Sequence, residues 1–122
     1  YLLLGNAHNY LRRYEQALTY YDQALQLDPN YREAINNRAL TLRDAGKYAG
    51  EQENNPVKAE AYLRRALEAL PNDYETLRLL GVATGIQQKT DEAIRYFSQA
   101  AQVQSDNADA WLNLAIAYYQ AG

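Results

Sequence analysis

A spaced pattern returns along this chain at a step of 34 residues, and that step restricts the fold more than any composition figure does. Tyr1-x-x-Leu4-Gly5-x-x-His8 recurs as Ile35-x-x-Arg38-Ala39-x-x-Leu42, then as Leu77-x-x-Leu80-Gly81-x-x-Thr84, then as Trp111-x-x-Leu114-Ala115-x-x-Tyr118. Tyr1 to Ile35 and Leu77 to Trp111 are steps of 34, whereas Ile35 to Leu77 is 42. A second block follows the first three: Ala17-x-x-x-Tyr21-x-x-Ala24, Ala59-x-x-x-Leu63-x-x-Ala66 and Ala93-x-x-x-Phe97-x-x-Ala100. Each leading alanine stands 12 residues before Pro29, Pro71 or Ser105, so one eight-residue insertion lies between Ala39 and Ala59.

Within each block the apolar positions fall three, four and seven apart, on one helical face. Gly5, Ala39, Gly81 and Ala115 allow a close helix–helix approach, Ala17, Ala59 and Ala93 do the same from the partner helix, and large rings fill the rest. The 12 tyrosines suit such wedges, with the ring buried and the hydroxyl at the edge. Asp28-Pro29-Asn30 and Pro71-Asn72-Asp73 end one helix and start the next, since proline cannot continue a helix and Asn or Asp caps one. Gly46 is placed to end the third helix. Helices are expected near 1–12, 14–27, 32–45, 56–69, 74–86, 90–103 and 108–120.

The pattern closely resembles the tetratricopeptide repeat. Trp111, Leu114, Ala115 and Tyr118, and the run from Tyr14-Glu15-Gln16-Ala17 through Leu27-Asp28-Pro29-Asn30, stand near that family's consensus. The likeness covers essentially the whole chain. Arg38 in a leucine position, Ser105 in a proline position and the insertion depart from it. The resemblance implies an all-α fold, a right-handed superhelical solenoid of antiparallel helix pairs with about 3.5 repeats and seven helices. The expected units are 1–31, 32–73 with the insertion within 47–56, 74–107, and 108–122 as the first helix of a fourth repeat. The first unit is short of leading residues and Trp111, Leu114 and Tyr118 look like interior residues awaiting a partner, so a longer parent chain is expected.

Composition narrows function by exclusion. A net charge of −3 lacks the basic excess of a nucleic-acid binder. No apolar run approaches the roughly 20 residues of a membrane span. Without cysteine there is no thiol chemistry. The compartment is not named by the sequence; the cytoplasm is the favoured expectation. His8 is the single histidine, which rules out a His/Cys zinc set, and it reads as a packed face residue. Ser98 and Ser105 have no base at a motif spacing. Asp91-Glu92 opens a helix, where negative charge favours the dipole. Glu51 and Glu53 are expected to face water. No cofactor, metal or catalytic role is expected.

Stacked helix pairs line their concave side with the first helix of each pair. Ile35, Ala39 and Leu42 form the packed stripe of the third helix, so Glu33, Asn36, Asn37, Leu40, Arg43 and Asp44 turn toward the groove. By register the groove continues through Asn6, Asn9 and Tyr10; through Arg78, Val82 and Ile86; and through Leu112, Ile116 and Tyr119. Its first half is polar and its second half apolar, with Gly85 leaving space. One subclass of the family grips chaperone C-terminal carboxylates with basic residues and two asparagines. Asn6 and Asn37 fit the asparagine positions, but Leu2, Glu75 and Leu79 hold the basic ones, so such a carboxylate is not an expected partner. An asparagine ladder is half present, with Asn37 and Asn113 but Leu3 and Leu79.

The expected role is a protein–protein interaction scaffold taking a peptide or helical segment in its groove. The alternatives are self-association through the solenoid ends, or a regulatory segment of a larger enzyme. Residues between Gly46 and Val57 are expected to form a loop or helix extension, with Asn55 as cap and Pro56 in the next first turn. Deleting Lys47 to Asn54 is then expected to leave stability unharmed. Arg38 is expected to pair with Glu51 or Glu53, or to run its stem along the core with its head in water.

Overall fold

The computed structural model describes residues 1–10 and 12–122. Among the described residues there are seven helices and no strand: α1 (Leu2–Tyr10), α2 (Tyr14–Leu27), α3 (Arg32–Glu51), α4 (Pro56–Ala69), α5 (Tyr74–Ile86), α6 (Thr90–Val103) and α7 (Ala108–Ala121). Leu11, within the first expected helix, lies outside the described residues. Each helix packs on its neighbours in sequence, and α3 also touches α1 and α5, so α1, α3 and α5 share one side of the stack. Tyr21, Leu42, Leu63, Leu77 and Leu80 are fully buried between the layers.

The starts of the helices follow from short polar side chains. The Asn55 side chain accepts from the Lys58 amide at 3.1 Å and Pro56 occupies the first turn of α4. Asp73 accepts from the Thr76 amide at 3.0 Å, and Asn107 from the Asp109 amide at 3.0 Å. The turn signals place Asn30 as the cap of α3, and it does not take that role. The residue before that helix is Tyr31, with no side-chain cap, while the Asn30 amide donates to Asp28.

The third helix departs most from expectation. It runs to Glu51, so Gly46 does not end it. Gly46 is buried mid-helix because a Cβ there would stand 2.6 Å from Leu63 Cγ. The same close approach occurs at Gly5, where a Cβ would lie 2.6 Å from Tyr21 Cε1, and at Gly81, 2.5 Å from Phe97 Cε1. Gly46 therefore occupies the contact that the repeat spacing assigns to Ala39, seven residues earlier. One turn further, Gly50 and Gly85 face Ala59 and Ala93 alike, at 3.6 and 3.8 Å from a built Cβ. The eighth inserted residue widens the turn. The Arg13 amide reaches back five residues to His8 O and Lys89 to Thr84 O, but Asn55 reaches six, to Ala49 O.

The insertion is thus two added helical turns and one loop residue. Of the two expected forms, a loop or a helix extension, it is the extension, and it is not confined to the surface, since Ala49 within it is fully buried in the core around Leu63 and Leu80. The α4 helix has slid along α3, and α5 has moved with it. The Arg43 guanidinium consequently meets Asp73, the cap of α5, at 3.2 Å, so α5 starts beside the fourth turn of α3.

Polar side chains tie the layers at the buried end of α4. Glu60 accepts from Arg64 at 2.6 Å, Gln87 at 2.8 Å and Lys89 at 3.0 Å. Burial pushes its carboxyl up, but these donors outweigh burial and hold it below the usual carboxylate range. Arg38 pairs with neither expected carboxylate. Its Nε donates to Asp22 on α2 at 2.7 Å, and Glu53 is taken by Lys58. Both members of the Arg38 pair are partly exposed, where such pairs contribute about 0–1 kcal/mol. Arg38→Leu is expected to leave stability unchanged or raise it by up to about 1 kcal/mol, measured by urea denaturation. A loss above about 1 kcal/mol would give the pair a larger structural role.

Candidate functional site

The residues expected in the groove divide into three groups. On α1 and α3, Asn6 is half-buried and its Oδ1 accepts from Tyr21 Oη at 2.6 Å and Asn37 Nδ2 at 3.0 Å. Asn6 and Asn37 are therefore joined to each other and to the core. Asn36 is exposed, Leu40 half-buried, and Glu33 exposed at the far end of the stack beside Leu2 and Tyr31. Arg43 turns to Asp73, and Arg78 donates to Glu75 at 2.7 Å. Burial pushes Asp73 up, yet the Thr76 hydroxyl and amide and Arg43 together hold it below the usual range. These two arginines are engaged within the fold.

A second group gathers beside the added turns of α3. Asn9, Tyr10 and Asp44 line a cleft of ≈ 340 Å³ with Tyr14 and Tyr48, whose rings lie 6.0 Å apart at 55°. Burial pushes Asp44 above the usual carboxylate range, with Arg43 and Lys47 opposing only in part. Tyr14 is likewise raised, first by burial and then by the Asp44 charge.

The third group is apolar. Val82 and Ile86 on α5 are 40% and 65% exposed, and Leu112, Ile116 and Tyr119 on α7 are 56%, 47% and 87% exposed. Val82, Ile86 and Ile116 share a cleft of ≈ 240 Å³ floored by Phe97 and Ala117. On their other flank, Val82 and Ile86 wall a cleft of ≈ 180 Å³ with Gly50, Leu63 and Leu79. Five large apolar side chains left in water along two neighbouring helices are more than the scattered exposure of an ordinary surface.

Sequence reasoning did not bring Tyr14, Lys47, Tyr48, Gly50 and Glu51 to the groove: Tyr14 opens α2, and the other four lie in the segment it left as a loop or a helix extension. A signal existed: Gly46-x-x-x-Gly50 repeats as Gly81-x-x-x-Gly85. Among the described residues no group of His, Cys, Asp or Glu could hold a metal ion, and no helix is long and apolar enough to cross a membrane.

Comparison with known proteins bears on the fold. Residues 1–31 match a family model described as "Tetratricopeptide repeat" and residues 86–122 one described as "TPR repeat". An uncharacterized protein of Methanocaldococcus jannaschii is 46% identical over 39 residues, covering 32% of this chain and 45% of that protein. The match therefore spans less than half of that relative. Among solved structures, the crystal structure of MamA aligns over 100% of this chain and 67% of its own, at a TM-score of 0.68 and 23% identity. The Arabidopsis OM64 TPR domain aligns over 98% of this chain and 92% of its own, at 0.57 and 18%. The first TPR of Spaghetti (RPAP3) bound to the HSP90 peptide SRMEEVD aligns over 95% and 86%, at 0.57 and 19%. At these identities the likeness is one of fold.

Proposed function

The chain belongs to the tetratricopeptide-repeat family, an all-α helical-repeat solenoid and a protein-interaction module, and from that premise we propose that it holds a segment of a partner protein in the groove lined by α1, α3, α5 and α7. The observation that carries this reading is the apolar row of Val82, Ile86, Leu112, Ile116 and Tyr119, exposed on the odd-numbered helices. Binding energy concentrates in a few desolvated anchors, so these side chains supply affinity. Asn9 and Asn36 set register and direction through hydrogen bonds.

A chaperone C-terminal carboxylate fits this groove poorly. Leu2, Glu75 and Leu79 stand where that subclass has cations, and Glu75 is already paired with Arg78. The reading includes no catalysis and no nucleic acid, and the net charge is −3.

Ile86→Ala or Tyr119→Ala is expected to weaken binding of a groove peptide by about 1–3 kcal/mol, and Asn9→Ala by well under that. Titration calorimetry on peptides selected from a displayed library reads this, with folding checked by circular dichroism. The proposed division is wrong if Asn9→Ala abolishes binding while the other two leave it unchanged. A second reading, end-to-end stacking of copies, is favoured by the exposure of Leu3 and Leu27 at one end and Trp111 and Tyr118 at the other. Light scattering over a concentration series separates it: a constant monomer mass excludes stacking.

A further inference from the structure

The two clefts beside the added turns of α3 lie on opposite flanks of one helix, and Lys47 and Glu51 border both. We propose that these turns carry paired subsites for one extended partner segment: an apolar side chain on the α5 flank, and a lysine or arginine on the α1–α2 flank. This rests on the groove reading and deepens it by naming the partner's chemistry.

The α5 flank is built for an apolar side chain. Leu63 and Leu79 are buried at its floor, Val82 and Ile86 wall it, and Gly50 leaves it open. A Cβ on Gly50 would meet only Ala59 Cβ, in ordinary contact at 3.6 Å, so the space beyond it is free.

The other flank has acceptors that the fold does not satisfy. Asp44 is half-buried and, among the described residues, accepts no hydrogen bond. Its one ion-pair neighbour, Arg43 Nε at 4.0 Å, belongs to a guanidinium already engaged by Asp73. Arg12 and Lys47 also border the cleft, but both are exposed and neither forms an ion pair with Asp44. Asn9 Oδ1 is buried and, among the described residues, has no partner. Burial has raised Asp44 above the usual carboxylate range, so an incoming cation supplies what Arg43 and Lys47 do not. The rings of Tyr14 and Tyr48 give that cation two aromatic surfaces.

The spacing follows from the helix between them. A helix is about 10–12 Å across and an extended chain advances about 3.3 Å per residue, so the two side chains stand about three or four residues apart.

The test is selection of a random phage-displayed peptide library on the whole chain, then fluorescence anisotropy of the enriched peptides. Enriched peptides are expected to carry an apolar and a basic residue at that spacing. Gly50→Leu, which fills the apolar flank, and Asp44→Asn are each expected to weaken them by about tenfold or more. Exchanging the peptide's apolar residue for serine, or its basic residue for glutamate, reads the same two flanks without altering the protein. Peptides weakened by Tyr119→Ala but indifferent to Gly50→Leu and Asp44→Asn would overturn the paired subsites and leave the groove reading standing. Peptides enriched with an acidic residue at the second position would also overturn them. Peptides indifferent to every substitution, or a library yielding no binder, would overturn both.

Discussion

Gly46→Leu is expected to destabilise the protein by about 3 kcal/mol or more, whereas Gly50→Ala, one turn along the same helix, is expected to be neutral or stabilising by up to about 1 kcal/mol. Leucine and alanine both exceed glycine in helix propensity, so both substitutions begin from a gain. Packing then separates them. At Gly46 a Cβ would stand 2.6 Å from Leu63 Cγ, 2.9 Å from Leu63 Cδ2 and 3.2 Å from the Ala59 carbonyl oxygen. Leu63 is 1% exposed and the carbonyl belongs to α4 backbone, so neither side can yield without separating the two helices. A leucine there adds three further carbons to a place with no room for one. At Gly50 the nearest atom to a new Cβ is Ala59 Cβ at 3.6 Å, which is ordinary contact. Urea denaturation of both variants reads the difference. Equal effects at the two positions would mean that Gly46 is not the contact point of α3 on α4.

That glycine also marks where reading the sequence fails. A glycine inside a helical pattern has two meanings: it can end the helix, or it can admit another helix at short range. The spacing assigns the close contact to Ala39, which leaves Gly46 with the terminating role. Only the position of α4 decides between them, and that position depends on how far the α3–α4 pair has slid. The other helices were legible from the period, and for α4, α5 and α7 local signals at their starts agreed with it. Pro56 and Asn55 start α4, Asp73 starts α5, and Asn107 starts α7. Arg38 illustrates the same limit. Its partner Asp22 lies 16 residues back on a neighbouring helix, and the pairing is set by how α2 and α3 cross.

The exposure of the apolar row was legible where it follows from register. Val82, Ile86, Leu112 and Ile116 are apolar at positions that turn away from the packed stripe, and they are exposed. The clefts beside α3 were not legible, because they exist only through the two added turns. Arg43 shows the same dependence. It holds a groove position by register, yet the slide brings the cap of α5 within its reach, and it spends its guanidinium on Asp73.

Deleting Lys47 to Asn54 is therefore expected to lower stability by about 2–3 kcal/mol, a fall in melting temperature of roughly 10 °C, against the expectation drawn from spacing alone. The deletion restores a 34-residue step and returns α4 to Ala39. Leu63 would then face Ala39, which the spacing tolerates. Ala59 would face Arg43, in the place where Gly50 and Gly85 stand against their alanines at 3.6 and 3.8 Å. An arginine does not fit that gap without prising the helices apart, and overpacking of this kind costs about 1–3 kcal/mol. The slide would also carry Asp73 out of reach of Arg43, and the buried Ala49 would be lost from the core. Arg43→Gly made within the deletion is expected to recover most of the lost melting temperature. Ala39 and the glycine introduced one turn after it would then reproduce the small pair at Gly81 and Gly85. The same substitution in the undeleted chain should cost stability, since it removes the Asp73 partner and puts glycine in an intact helix. A deletion that melts at or above the parent's temperature would show that the added turns carry none of the packing assigned to them.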